Sequence, residues 1–366
     1  MFNKIKSYLT VILSAVMIFG FLFWGIIQPD KTVSESERRY LASFPEVGIE
    51  QISSGKYMSD FESYTLDHFP LRDTFRGIKA YTALYAFGQR DNNDIFVHNG
   101  QIYKNDYPLN LESVEHATSV FANIYSKYLS DSNNVYLSVI PDKNYYLKDT
   151  ENRLSVDYDK LISVTKSNME FADYIDITDL LETDDYYRTD SHWRQERIVD
   201  VANLLSMGMK AGPVTESYKK LKTEKPFYGV YHGQSALKTE ADDMYYLTND
   251  IIENAECYYF EDNAYGSVYN MAALDGLDPY EMYLSGSKSL IAIENKNSKT
   301  DKELIIFRDS FASSLAPLLI ENYSKITLVD IRYISSSALG QFIEFNNQDI
   351  LFIYSTSVLN NSVTLK

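Results

Sequence analysis

The last third of the chain alternates short apolar runs with helical segments. Leu304–Phe307, Ile326–Ile331 and Ile350–Tyr354 read as strands, and Phe311–Asn322 and Ser336–Phe345 as the helices between them. Strands that alternate with helices of about ten residues imply βαβ units and a parallel sheet. Functional groups in such sheets gather at the carboxyl ends of the strands. Upstream, Val135–Ile140 reads as a buried strand stopped by Pro141, followed by a helix at about 154–169, a short strand near Tyr174–Ile177 and a helix from about Trp193 to Met209. The fold class expected is α/β. Residues 211–300 mix Gly, Pro, Tyr and short alternating runs, which predicts a β-rich insertion.

The first third is organised differently. Lys4 and Lys6 precede an uncharged run from Tyr8 to Ile27, about 20 residues and so the length of a membrane span. Positive charge on its amino side keeps that end cytoplasmic and sends the rest of the chain across. The run ends in Trp24-Gly25-Ile26-Ile27-Gln28-Pro29 without a small-residue cleavage site, so it reads as a signal anchor covering residues 1–28. Residues 29–93 read as a linker and a helical arm, broken at Pro70. Asn99-Gly100, between Ile95-Phe96-Val97 and Ile102-Tyr103, predicts a hairpin that opens the main domain, 94–366. A helix follows at about 111–129.

With a formal net charge of −17 the chain is unsuited to nucleic acid. Its one cysteine, Cys257, allows no internal disulfide and no Cys-rich metal site. The 31 tyrosines suit sugar surfaces, although a genome biased toward Asn, Lys, Ile and Tyr would produce the same excess.

Two segments carry chemistry. Leu304-Ile305-Ile306-Phe307-Arg308-Asp309-Ser310 puts Ser310 at a strand's carboxyl end and a helix's amino end, where free N–H groups favour an oxyanion. The plainer reading is that Ser310 or Asp309 is a helix cap. In Tyr186-Tyr187-Arg188-Thr189-Asp190-Ser191-His192-Trp193, an extended backbone turns Asp190 and His192 to one side. Carboxylate, imidazole and hydroxyl are the parts of an acyl-transfer site. A surface Asp–His pair, or a structural His under Trp193, fits the spacing equally. A metal site built from Asp184, Asp185, Asp190, His192 and His232 is the competing chemistry, and no H-E-x-x-H or His pair at helical spacing supports it. Neither a metal nor a cofactor is expected.

Both segments resemble the DHHW protein family. The Tyr-Tyr-Arg-Thr-Asp-Ser-His-Trp stretch resembles its signature, and Phe-Arg-Asp-Ser-Phe-Ala-Ser-Ser with Ile326–Tyr333 resembles its second block. Ser36–Leu41 and Asp67–Asp73 add further echoes. That family is similar to the SGNH-hydrolase-like proteins of bacterial alginate O-acetylation, in which the Asp-x-His segment precedes the Ser segment. The resemblance implies an SGNH-like parallel sheet flanked by helices, with permuted motif order. It implies Ser310 as nucleophile, His192 as base and Asp190 as its partner. It further implies acetyl transfer to an exported or cell-surface polysaccharide, with acetyl groups supplied by a multi-pass membrane-bound O-acyltransferase. The alternatives are an esterase with the same triad and an inactive anchored glycan-binding scaffold. Ser191 stands where the family name has its first His, and Arg308 where SGNH enzymes carry Gly. Oxyanion and substrate candidates are the Ser310 backbone N–H, Arg332, Tyr333, Ser355, Trp193 and Arg188.

Overall fold

A computed structural model of the chain describes residues 2–148, 150 and 153–366. The chain forms two compact units, one of residues up to Asn93 with His232–Lys238, the other of Asp94–Tyr231 with Thr239–Lys366. The first begins with helix α1 (Phe2–Ile27), long and apolar enough to cross a membrane. Helices α2 (Lys56–Asp67) and α3 (Arg72–Tyr81) follow and are separated at Pro70, as expected from its missing N–H. The turn is completed by Leu71 in the left-handed region, φ 58°.

The second unit opens with the expected hairpin, Ile95–His98 against Gln101–Lys104. Asn99 and Gly100 both have positive φ, which matches the twist of a two-residue hairpin loop. Helices α4 (Leu111–Tyr128), α5 (Tyr158–Asn168), α6 (Val199–Gly208) and α7 (Ala312–Leu319) surround one large sheet. Its strands are β1 (Asn134–Ile140), β2 (Asp173–Tyr174), β3 (Glu256–Tyr259), β4 (Ala264–Gly266), β5 (Leu290–Glu294), β6 (Glu303–Arg308), β7 (Lys325–Val329) and β8 (Asp349–Ser355). They lie in the order β4-β3-β5-β7-β6-β8-β1-β2. β7, β6, β8, β1 and β2 run parallel, while β5, β3 and β4 are joined antiparallel.

Both faces of the sheet are covered, and alternate residues serve each face. Leu304, Ile306, Leu328 and Ile353 pack with α6 and α7. Ile305, Phe307, Val329 and Phe352 pack with α4 and α5. On that second face Phe352 stacks on Phe307 at 4.7 Å and meets Phe121 of α4 at 5.1 Å. The result is the α/β sheet with helices on both sides that the C-terminal pattern predicts.

Three expectations are corrected. The region 211–300, expected as a β-rich insertion, also supplies the main sheet, because the buried run Leu290–Glu294 pairs with β7 and carries β3 and β4 outward. Ser336–Gln341 forms a 3-10 turn and not the ten-residue helix expected. The helix expected from Trp193 begins at Val199, because the preceding residues pair with Tyr186 and form a 3-10 turn.

β6 is the pivot of the sheet. The chain leaves it through α7 to β7 on one side and then returns to β8 on the other. Such a reversal opens a crevice at the strand's carboxyl end, and Ser310 follows β6 by two residues. Replacing Phe352 with Ala removes the ring that links α4 to β6 and should cost about 3–5 kcal/mol. Chemical denaturation checks this, and a loss under about 1 kcal/mol would show that the face collapses around the gap.

Candidate active site

Asp309 and Ser310 divide two tasks at the end of β6. Asp309 Oδ1 accepts the Phe311 N–H at 3.1 Å, and Oδ2 accepts the Ser355 N–H at 2.7 Å. Asp309 therefore closes the turn into α7 and ties it to β8, and the Ser310 hydroxyl is left for another partner. Ser310 is partly exposed, and its Oγ lies 2.7 Å from His192 Nε2. His192 Nδ1 lies 2.6 Å from Asp190 Oδ1. These partners assign the tautomer, with Nδ1–H donating to the carboxylate and Nε2 facing the hydroxyl. The Ser310 backbone N–H has no acceptor among the described residues.

The loop that carries Asp190 and His192 is irregular, and it is held from several directions. Tyr186 and Trp193 form a β-bridge, and the Tyr187 N–H donates to the His192 carbonyl. Asp190 is 1% exposed. Besides the ring, its Oδ1 accepts the His192 N–H at 3.0 Å, and Oδ2 accepts the Val230 N–H at 2.8 Å. A buried carboxylate needs such donors. Gly229 makes the approach possible, since a Cβ there would stand 2.2 Å from Asp190 Cβ. Asp242 clamps the preceding turn, accepting the N–H groups of Arg188 and Thr189 and the Thr189 hydroxyl.

Beneath the loop lies Lys143, 2% exposed. Its ammonium donates to the carbonyls of Tyr187 (2.9 Å) and Arg188 (3.2 Å) between the rings of Tyr103 and Tyr231. Burial pushes its pKa down to about 7 against the pull of Asp190, Asp242 and Asp142. The imidazole of His192 lies flat on Tyr280, with ring centroids 3.8 Å apart and planes 14° from parallel. Tyr280 donates to or accepts from Ser314 Oγ at 2.9 Å, and burial raises its pKa far above the usual tyrosine range. Tyr280 therefore offers the imidazole a neutral, apolar face.

The sequence candidates thus separate. Ser310, His192 and Asp190 converge. Trp193 is fully buried and ties the His loop to α7, its Nε1 donating to Phe311 O and Ser314 Oγ; it is not placed to meet a substrate. Ser355 is buried, with its N–H given to Asp309 and its Oγ accepting the Val358 N–H as the cap of the next helix. Arg332 is taken up by Asp330, with Nε and Nη2 at 2.8 and 2.6 Å from its two oxygens. Tyr333 is half exposed beside the Arg332 guanidinium, and Arg188 ion-pairs with Glu240. Arg308 lies buried behind the serine turn, bonding Asp309 O, Ser313 Oγ and Lys288 O and facing Asp330 at 3.8 Å. Burial lowers its pKa against the opposing charge of Asp330.

Gly229, Val230, Asp242, Lys143 and Tyr280 were not foreseen. No spacing rule connects them to the two segments, and Tyr280 is one tyrosine of 31. Among the described residues no three His, Cys, Asp or Glu side chains form a group that could hold a metal ion.

No protein-family model and no curated protein sequence matches the chain. Solved structures do. A DHHW family protein from Eubacterium siraeum is similar with TM-score 0.60 and 21% identity, covering 74% of this chain and 96% of that one. PatB1 of Bacillus cereus, solved with a sulfonyl adduct, is similar with TM-score 0.56 and 17% identity, covering 72% and 95%. The O-acetyltransferase domain of Pseudomonas putida AlgJ is a more distant likeness, with TM-score 0.47 and 8% identity over 74% and 93%. The similarity read from the two motif segments is thus matched by a shared fold.

Two substitutions probe the loop. Gly229→Ala forces the Val230 and Asp190 backbones apart, and Ser310 labelling by a serine-directed phosphonate should slow at least about 100-fold; an unchanged rate would show that the close approach is dispensable. Lys143→Met leaves the Tyr187 carbonyl without its donor and should cost about 1–3 kcal/mol in chemical denaturation; no loss would mean that the ammonium does not hold the loop.

Proposed function

We propose that this chain is a membrane-anchored O-acetyltransferase that acts outside the cytoplasm on a cell-surface or exported polysaccharide. The observation that carries this reading is the unbroken line from a buried carboxylate through an imidazole to a partly exposed hydroxyl at a strand's carboxyl end. The shared fold with a DHHW family protein supports it. So does the sulfonyl adduct of PatB1, since sulfonyl electrophiles are captured by activated nucleophiles. The choice of acetyl group and glycan rests on the sequence resemblance.

In this mechanism His192 Nε2 takes the Ser310 proton as Oγ attacks the acetyl carbonyl. Asp190 holds the imidazole in the required tautomer and stabilises the imidazolium. The Ser310 N–H, at the turn into α7, is one donor to the tetrahedral oxyanion. Collapse of that intermediate expels the donor's oxygen, protonated by His192, and leaves acetyl on Ser310. A sugar hydroxyl then gives its proton to His192 and attacks the acetyl carbonyl; the Ser310 Oγ–acetyl bond breaks, His192 returns the proton to Oγ, and the acetyl ester departs. A membrane-bound O-acyltransferase is the proposed supplier of acetyl groups. Lys4 and Lys6, near the amino end of α1, favour a cytoplasmic amino terminus.

Ser310→Ala should lower acetyl transfer from an activated acetyl ester to glycan by at least about 1,000-fold while the circular dichroism spectrum is retained. Transfer at the unmodified rate would overturn the reading. Acetate release without sugar ester formation, by the unmodified protein in the presence of glycan, would instead identify an esterase.

A further inference from the structure

The first unit presents an apolar stripe that is largely exposed. Leu71, Phe75 and Ile78 recur at the spacing of one helical face, and they are 48%, 41% and 56% exposed. The stripe continues into Tyr81 and Tyr85, both exposed, with rings 5.6 Å apart. At its start, Phe69 is 44% exposed.

What should cover this stripe follows from its position on α1. Phe69 stacks on Phe21 at 5.4 Å, and Phe75 meets the same ring edge-on at 5.7 Å. The Gln28 side-chain amide donates to the His68 carbonyl, which latches the α2–α3 corner to the end of α1. Phe21 lies six residues before Ile27, the end of α1. At a rise of about 1.5 Å per residue, its level is about 9 Å inside the end of the helix. Half a hydrocarbon core is about 15 Å. A ring stacked on Phe21 is therefore at lipid depth whenever α1 spans. An apolar groove of about 1200 Å³ between α1 and α2, lined by Met17, Ile18, Phe44 and Phe61 among others, opens along the same side.

The charges nearest the corner are already paired, which lowers the cost of bringing them to a lipid surface. Arg39 Nη1 donates to Asp67 at 2.9 Å, and Arg72 Nη1 to Glu37 at 2.6 Å. The hydrogen bond from Arg39 holds Asp67 at a pKa of about 2. Farther along the stripe, tyrosines replace Phe, Leu and Ile, the residue type favoured where hydrocarbon gives way to headgroups.

We propose that the corner between α2 and α3 is a membrane seat, in which Phe69, Leu71 and Phe75 enter the outer leaflet beside α1 and the stripe lies along the lipid surface. The partner is the acyl chain and headgroup region of a bilayer. This rests on the reading of α1 as a membrane anchor. It adds a second attachment that fixes the arm against the membrane, where the anchor alone would leave a swinging tether.

The two native tryptophans make the test possible, since Trp193 is buried and Trp24 sits near the end of α1. The full chain is reconstituted into phosphatidylcholine–phosphatidylglycerol vesicles with or without dibrominated phosphatidylcholine. Phe69→Trp and Phe75→Trp are each made in a Trp24→Phe background. The introduced indoles should be quenched by the acyl-chain bromines by a factor similar to that for Trp24 in the unmodified chain. Quenching of Trp24 with no quenching of either introduced indole overturns the seat and leaves the anchor standing. No quenching of Trp24 itself overturns the anchor, and the seat with it.

Discussion

The candidate site depends on how one buried carboxylate is held. Asp190 is removed from water on an irregular loop, a costly place for a negative charge unless donors surround it. Its two oxygens divide the work. One accepts the His192 ring and backbone N–H groups, and the other accepts the Val230 N–H. The first sets the tautomer of the imidazole, and the second stops the carboxylate from rotating away. Gly229 is needed here because only a residue without Cβ lets that backbone come so close. Asp242 and Lys143 restrain the same few residues through their backbone groups. A loop without regular secondary structure thus gains the rigidity that acid–base geometry requires.

The serine side is rigid for a different reason. Ser310 stands at the pivot of a sheet buried on both faces, and its turn is braced by groups that never reach the reacting atoms. Asp309 links the turn to β8, and Arg308 fills the space behind it. The Arg308–Asp330–Arg332 cluster places two cations around one fully buried carboxylate. Such a cluster is poor evidence of stability by itself, but its contacts tie β6 to α7, to Lys288 just before β5 and to Asp330 just after β7. That network holds Arg332 against Asp330. Two nitrogens of its guanidinium bond the two oxygens of Asp330, and removing them would leave that buried carboxylate with Arg308 at 3.8 Å.

Both tyrosine and charge turn out to act through position rather than amount. The excess of tyrosine favoured a sugar surface, yet Tyr186, Tyr187, Tyr280 and Tyr283 are buried around the His loop. Tyr280 supports the imidazole from below, and the others fill the space between the loop and its neighbours. The net negative charge likewise says little about the site, where the important carboxylates are the few that burial and hydrogen bonding have taken out of the solvent.

The amino-acid sequence by itself determined the sheet strands after residue 300, the hairpin at Asn99-Gly100, the break at Pro70 and the apolar N-terminal helix. These follow from local rules of apolar run length, turn chemistry and the missing proline N–H, which act within a few residues. It offered Ser310, His192 and Asp190 as candidates beside the readings of a helix cap and a surface Asp–His pair, and it was the family resemblance that joined the three. It did not foresee that Leu290–Glu294 joins the main sheet, since a short apolar run does not name its partner. It left open whether Asp309 or Ser310 caps the turn, and the contact from Asp309 to Ser355 decided that. Gly229, Asp242, Lys143 and Tyr280 were invisible because their roles arise only when segments 40 to 90 residues away from the motif are packed against it. Such close approach is a property of the folded chain, and no local pattern encodes it.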